Sequence, residues 1–355
     1  MEGLVLGGSN NVFTVLCDDG EKRVCAIKGK RIKDKTGEYN ALAAGDLVEV
    51  ELPAIGVPGA ASGTGSAAAG IAGPAGSGMI TSLKPRRNVF GRYNEKGRAK
   101  QSIAANVDLV VCVASPSFPP FRPRFVDRVA ILAEAAHVPL LIALNKADLG
   151  SDEGTDERLK RYAELGYGIL RCSTFTGEGI AELLAGLRGR TSVLVGQSGV
   201  GKSSLLNAID PGRDRKTGGL SLKYARGRHT TTMAELFLLD GATRIIDTPG
   251  VRRLALRGIE PGELDAYFPE LRSLSPQCEF GLSCSHSDEP GCRIRAAVEG
   301  GQVHEDRYES YLRIRGELEA NAEYSAKEGW SVPSARRGDG ARKAARFHGR
   351  KDEDD

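Results

Sequence analysis

No apolar run in this sequence approaches the ~20 residues needed to cross a bilayer, and Met1 to Asn10 carries Glu2 with no basic stretch ahead of an apolar one. Neither a membrane partner nor a secretion leader is expected, and the chain is placed in the cytoplasm. Charge of one sign is scarce too: 49 Lys and Arg against 46 Asp and Glu leave a net charge of +3. So small an excess gives no argument for nucleic acid by itself; any such case rests on where the charge sits. A disulfide framework is also missing. The seven cysteines are odd in number: Cys17, Cys25, Cys112 and Cys172 are scattered, while Cys278, Cys284 and Cys292 gather around His286. That grouping points to a metal site.

What is present is a 355-residue chain, 40% apolar and 27% charged, long enough for two or three domains at ~150 residues each. Residues 1–92 alternate short apolar runs with turn signals such as Asp18-Asp19-Gly20 and Ala44-Gly45-Asp46, which predicts a small antiparallel β domain. Within it, 53–78 is almost entirely Gly, Ala, Ser and Pro without charge, and is expected to be a flexible insertion. Residues 93–255 change to buried strands alternating with helices: strands at Val107–Ala114, Pro139–Leu144, Gly168–Arg171, Ser192–Val195, Ala234–Leu239 and Thr243–Ile246, and a helix near Arg124–His137. An α/β doubly wound domain is expected. Residues 256–330 read as a small, mostly helical unit stapled by metal. Ser331 to Lys351 holds seven Lys and Arg against one Asp, and 331–355 is expected to be a disordered basic tail.

Gly196-Gln197-Ser198-Gly199-Val200-Gly201-Lys202-Ser203 fits a phosphate-binding loop, with an apolar strand before it and a helix from Ser204 after it. The glycines let backbone N–H groups turn toward phosphate. Lys202 reaches the β and γ phosphates, and the Ser203 hydroxyl ligates Mg²⁺. Asp247-Thr248-Pro249-Gly250 follows a strand, so Asp247 can support the Mg²⁺ shell and the Gly250 N–H can sense the γ phosphate. Asn145-Lys146-Ala147-Asp148 ends another strand. Its Asp148 carboxylate suits the N1–H and 2-amino group of guanine, Lys146 can cover the base face, and Ser173-Thr174 can offer N–H to O6. The ligand is therefore GTP or GDP.

The order of these motifs is rotated: base-reading residues come first, then the phosphate loop, then Asp247. A parallel sheet tolerates this because the site depends on which strand ends converge, not on chain order. This permuted order, with Gly227-Arg228-His229-Thr230-Thr231-Thr232, the Pro85-Arg86-Arg87-Asn88 stretch, Ile103–Asp108 and the Cys/His cluster, resembles the bacterial ribosome-small-subunit-dependent GTPase A family (RsgA, also called YjeQ). The resemblance covers about Gly3 to Gly329. It implies an N-terminal β-barrel of OB-fold type, a central circularly permuted P-loop GTPase domain, a C-terminal zinc-binding domain, and a role in late maturation of the small ribosomal subunit. Two departures are the Gly/Ala insertion and a Cys278–Cys284 gap one residue longer than the family's.

Three thiolates and one imidazole from Cys278, Cys284, His286 and Cys292 make a closed set for one structural zinc ion. Such a site can supply ~10 kcal/mol or more of folding free energy to a unit too small for a large core. One of Thr231 and Thr232 is expected to coordinate Mg²⁺, the sequence leaving both open. Position 251 is Val and not the Gln that orients the attacking water in Ras-like enzymes, so His229 is the candidate for that role, with contact to RNA phosphate as its alternative. Lys28, Lys30, Arg31, Lys33 and Lys35, together with the basic tail, suggest ribosomal RNA as a partner. The expected protein is a monomeric, Mg²⁺-dependent GTP hydrolase acting on the small subunit; the alternative is a slow GTP switch with no ribosomal partner.

Overall fold

The computed structural model describes residues 1–9, 11–27, 39–52, 77–94, 99–212, 234–248, 254–256 and 258–327. Five strands close into a barrel in the order β1 (Glu2–Ser9), β2 (Val12–Cys17), β3 (Lys22–Ile27), β5 (Ser77–Leu83), β4 (Leu47–Glu51). Four pairings are antiparallel and the fifth, β3 with β5, is parallel. A ring with an odd number of strands cannot alternate direction all the way round, so the expected antiparallel domain carries one parallel seam. Ser77 and Gly78, read from sequence as the end of the Gly/Ala insertion, instead open β5 and pair with Val24 and Cys25. The barrel has its own core of Val5, Phe13, Val15, Leu42, Val48, Val50 and Ile80.

The motif residues around Arg86 turn out to be structural. Arg86 grips the fully buried Asp46 with two charge-assisted bonds, Nε to Oδ1 at 2.7 Å and Nη2 to Oδ2 at 2.8 Å. Gly45 sits at φ 93°, where a Cβ would meet the Ala105 carbonyl at 2.3 Å; only glycine allows this approach. Asn106 bonds the Gly45 carbonyl and Asn88 bonds both N–H and C=O of Val107. These contacts fasten the barrel to the central domain. A hairpin, β6 (Val89–Asn94) with β7 (Ala99–Ala105), links the two, so the sequence junction at 92/93 lies inside β6.

The central sheet has six strands in the order β10 (Gly168–Arg171), β9 (Leu140–Leu144), β8 (Leu109–Ala114), β11 (Thr191–Gly196), β13 (Arg244–Asp247), β12 (Glu235–Leu238). All pairs are parallel except β12 with β13. The short connection between those two allows a hairpin but no crossover. Alternate residues face opposite layers. Leu109, Val111 and Val113 meet α3 (Ile180–Leu187) and α4 (Lys202–Ile209), while Val110 and Cys112 meet α1 (Pro123–Ala136) and α2 (Glu153–Glu164). Pro123 opens α1, and His137, left-handed at φ 55°, closes it. The Asp152 side chain caps α2 by accepting the Thr155 N–H at 2.7 Å.

The C-terminal part consists of short 3-10 turns, α5 (Pro269–Arg272), α6 (Arg293–Glu299) and the long α7 (Glu305–Lys327). It has no separate interior. Leu264, Phe268, Leu271, Tyr311, Ile314 and Leu318 join the same apolar cluster as Val126, Val129 and Leu159 of the GTPase layer. Ion pairs cross this junction. Arg307 of α7, 7% exposed, binds Asp127 of α1 and, at 2.6 Å, Glu270 of α5. Ser310 and Tyr162 each donate a hydroxyl to Asp127 at 2.6 Å. No helix among the described residues is long and apolar enough to cross a membrane.

Candidate nucleotide site and metal centre

Strands β8, β9, β10, β11 and β13 run parallel, so their C-terminal ends share one edge of the sheet. Chain winding reverses between β8 and β11, which opens the crevice where ligands bind in such sheets. The phosphate-loop glycines meet this geometry. Gly196 packs so closely on β8 that a Cβ would lie 2.5 Å from the Val113 carbonyl, and Gly199 and Gly201 take φ of 87° and 92°. Gln197 and Ser198 continue the loop and Val200 is buried beneath it. Lys202 opens α4, with Ser203 and Ser204 exposed in its first turn. The Lys202 ammonium donates to the Gly196 carbonyl at 2.7 Å and the Gln197 carbonyl at 3.2 Å. Burial lowers its pKa, opposed by the Asp247 carboxylate at the end of β13. A buried ammonium at the N-terminus of α4 suits an anion, because the first N–H groups of a helix have no partner within it.

Asp247 ends β13 opposite Leu194 of β11, and Thr248 locks that position by donating its hydroxyl to the Leu194 carbonyl at 2.6 Å. The loop 145–148 follows β9. Asn145 is fully buried and bridges two loops: its Nδ2 donates to the Val200 carbonyl at 3.0 Å, and its Oδ1 accepts the Thr174 N–H at 3.3 Å. Lys146, left-handed at φ 63°, sends its ammonium to the carbonyls of Gly199, at 2.8 Å, and Phe118. Ala147 N–H bonds the Cys172 carbonyl at 3.0 Å. Ser173 donates its hydroxyl to Oδ1 of Asp148, which fixes the carboxylate and leaves its other oxygen available. The structure thus brings Asn145, Lys146, Asp148, Ser173 and residues 196–203 to one edge beside Asp247. His229, Thr231, Thr232, Gly250 and Val251, and the basic residues 28–35 and 331–355, lie outside the described residues.

Cys278, Cys284, His286 and Cys292 are all buried, with ligand atoms within 4.8 Å of one another. His286 Nδ1 lies 3.5 Å from Cys278 Sγ and 3.7 Å from Cys292 Sγ. One tetrahedral ion with bonds of ~2.0–2.3 Å reaches all four after small side-chain adjustments, so the donor set fits a metal. The surroundings agree. Nε2 of His286 faces the Ser275 hydroxyl at 3.2 Å, leaving Nδ1 for the ion. Arg293 N–H donates to Cys278 Sγ at 3.3 Å, and the Tyr308 and Tyr311 hydroxyls hold the carbonyls of His286 and Ser285. Burial pushes the Cys284 thiol up to about 12 and lowers His286. Ser275, Tyr308 and Tyr311 were not foreseen from sequence, because nothing local marks a serine eleven residues before its histidine.

Residues 83–257 match the profile of the RsgA GTPase family. A relative from Chlorobaculum parvum, named small ribosomal subunit biogenesis GTPase RsgA, is 38% identical over 324 residues, covering 90% of this chain and 98% of its own length. The chain belongs to the RsgA GTPase family. A second RsgA, from Gemmatimonas aurantiaca, is 38% identical over 317 residues, covering 89% of this chain and 97% of its own. Among solved structures, YjeQ from Thermotoga maritima superposes with a TM-score of 0.64 at 33% identity, covering 89% of this chain and 98% of its own. YloQ, described as a circularly permuted GTPase, gives 0.60 at 28% identity, covering 90% and 95%. This RsgA-family chain is thus a GTP hydrolase with permuted motifs. The expected barrel, permuted GTPase domain and Cys/His unit are borne out.

Proposed function

We propose that this GTPase binds the small ribosomal subunit, hydrolyses GTP there during late maturation, and then leaves. The observation that carries the reading is the match, over 89–90% of this chain, to relatives named for small-subunit biogenesis. The protein acts as a cytoplasmic monomer, and the barrel and the basic segments 28–35 and 331–355 contact ribosomal RNA through phosphate.

At the site, Asp148 selects guanine, with Asn145 tying the base loop to the phosphate loop and Lys146 lying along the base. Lys202 leaves the Gly196 and Gln197 carbonyls for the β and γ phosphates. Ser203 and either Thr231 or Thr232 hold Mg²⁺, which when bound offsets charge developing on the phosphate oxygens. Gly250 meets the γ phosphate and His229 orients the attacking water. Cys278, Cys284, His286 and Cys292 hold one structural Zn²⁺, favoured by a thiolate-rich set with no open position.

Steady-state GTP hydrolysis, measured with and without purified small subunits, tests the reading. A rate that rises on adding subunits, with cosedimentation of the protein, supports it. Equal rates and no cosedimentation would leave instead a slow GTP switch without a ribosomal partner.

A further inference from the structure

The turn after β10, Ser173-Thr174-Phe175-Thr176-Gly177-Glu178, is held by its own hydrogen bonds. Ser173 Oγ accepts the N–H groups of Phe175 and Thr176, both at 3.1 Å; Gly177 N–H reaches the Ser173 carbonyl at 2.9 Å, and Ser173 N–H the Glu178 carbonyl at 2.9 Å. Gly179 closes it at φ 68°, where a Cβ would strike the Arg171 carbonyl at 2.2 Å. On this fixed turn the Phe175 ring is 88% exposed, the highest value among the large apolar side chains described. An aromatic ring fully in water on a well-anchored backbone forgoes the stabilisation that burial would give it.

Its neighbours indicate what covers it. The Ser173 hydroxyl that accepts the Phe175 N–H also donates to Asp148, the carboxylate that reads the guanine edge. Thr174, between them, bonds Asn145 of the same loop. A planar base presents two faces, and the Lys146 stem accounts for one. The other exposed ring at this edge, Phe118, is 83% exposed, but its backbone is drawn with Gly199 to the Lys146 ammonium on the phosphate-loop side. Among the described residues, Phe175 is the exposed ring that shares its hydrogen bonds with Ser173 and Asp148.

We infer that Phe175 stacks on the second face of the bound guanine base and sets part of the nucleotide affinity. The inference rests on the guanine reading of the Asn145–Asp148 loop. Stacking is indifferent to the hydrogen-bonding edge, so it strengthens binding of any purine nucleotide equally while Asp148 supplies the choice of base.

The test is equilibrium binding of GDP, GTP and XDP to the full chain carrying Phe175→Ala, Phe175→Trp or Asp148→Asn. Phe175→Ala should weaken GDP and GTP by roughly tenfold each, as expected for loss of one aromatic–base contact. Phe175→Trp should restore affinity, and its fluorescence should fall on nucleotide addition, against a background of the single native Trp330. Asp148→Asn should move preference from GDP toward XDP. If Asp148→Asn behaves so but Phe175→Ala binds like the parent, the stacking inference is overturned; a Phe175→Ala defect confined to cosedimentation with small subunits would give the ring to the subunit instead. If Asp148→Asn keeps its guanine preference, the base-loop reading fails and the inference fails with it.

Discussion

Asn145 and Gly201 occupy the same space from opposite loops: a Cβ at Gly201 would fall 2.3 Å from the Asn145 amide nitrogen. That nitrogen is the one bonded to the Val200 carbonyl, and with the Lys146–Gly199 bond it ties the 145–148 loop to the 196–203 loop. Gly201 also holds φ 92°, a conformation costly for any side chain.

Gly201→Ala should therefore disturb both loops together. GTP and GDP affinity should fall by roughly a hundredfold, from ~1–3 kcal/mol of strain plus the displaced amide. Calorimetric titration of nucleotide checks this; affinity within twofold of the parent would show that the two loops tolerate separation.

His229→Ala should spare nucleotide and subunit binding and lower the subunit-stimulated rate by roughly a hundredfold, as positioning groups do elsewhere. The slow unstimulated rate should fall less. Single-turnover hydrolysis alongside cosedimentation separates the roles: equal losses of affinity and rate assign the imidazole to RNA contact, and an unchanged stimulated rate leaves the water-orienting group elsewhere.

Arg307→Leu should destabilise the fold by about 3–5 kcal/mol, because it strands the buried Asp127 and Glu270 carboxylates without their cation. Arg124→Ala breaks the exposed pair with Glu309 at 3.4 Å and should cost about 1 kcal/mol or less. Urea unfolding of the two variants makes the comparison; similar midpoints would mean that the buried cluster is relaxed by water.

Metal analysis should find one zinc per chain. Metal binding displaces protons from thiols, and burial raises the Cys284 thiol, so apparent affinity should rise with pH between 6 and 8. Cys284→Ser should lose the metal and loosen the C-terminal part. Because that part shares its interior with α1 and α2, the first unfolding transition of the nucleotide-binding part should fall as well. Chelator competition at several pH values reads the first effect and thermal unfolding the second; affinity independent of pH would argue against thiolate ligation.

The phosphate loop, the Asn145–Asp148 loop and the Cys/His set were legible because each is a short string whose chemistry depends on local spacing. The Asp127–Arg307 pair was not, since its members stand 180 residues apart and neither looks unusual among its neighbours. The composition of β7 does not signal a strand: Ala99–Ala105 is rich in small and polar residues, and pairing with β6 supplies what propensity does not. By composition Ser77 and Gly78 belong to the insertion, whereas the ladder with β3 fixes them in the barrel. Helices α2 and α3 were not singled out either. The hydrophobic face of α2 is narrow, with only Thr155, Leu159 and Tyr162 buried, and α3 is apolar but only 8 residues long.

The closing strands of the barrel have a practical consequence for anyone wishing to watch this protein at work. Glu51, near the exit of β4, pairs directly with Met79, near the entrance of β5. The chain that leaves the barrel after β4 therefore returns beside its point of departure, whatever the length in between, and the entropic penalty of a longer excursion grows only with the logarithm of its length. Residues 53–76 are thus a natural port for a spliced-in reporter, such as a fluorescent module whose own termini lie close together. Light emitted from that position would register the approach of a partner to the barrel while the barrel core of Val5, Val15, Val48 and Ile80 stays as it is.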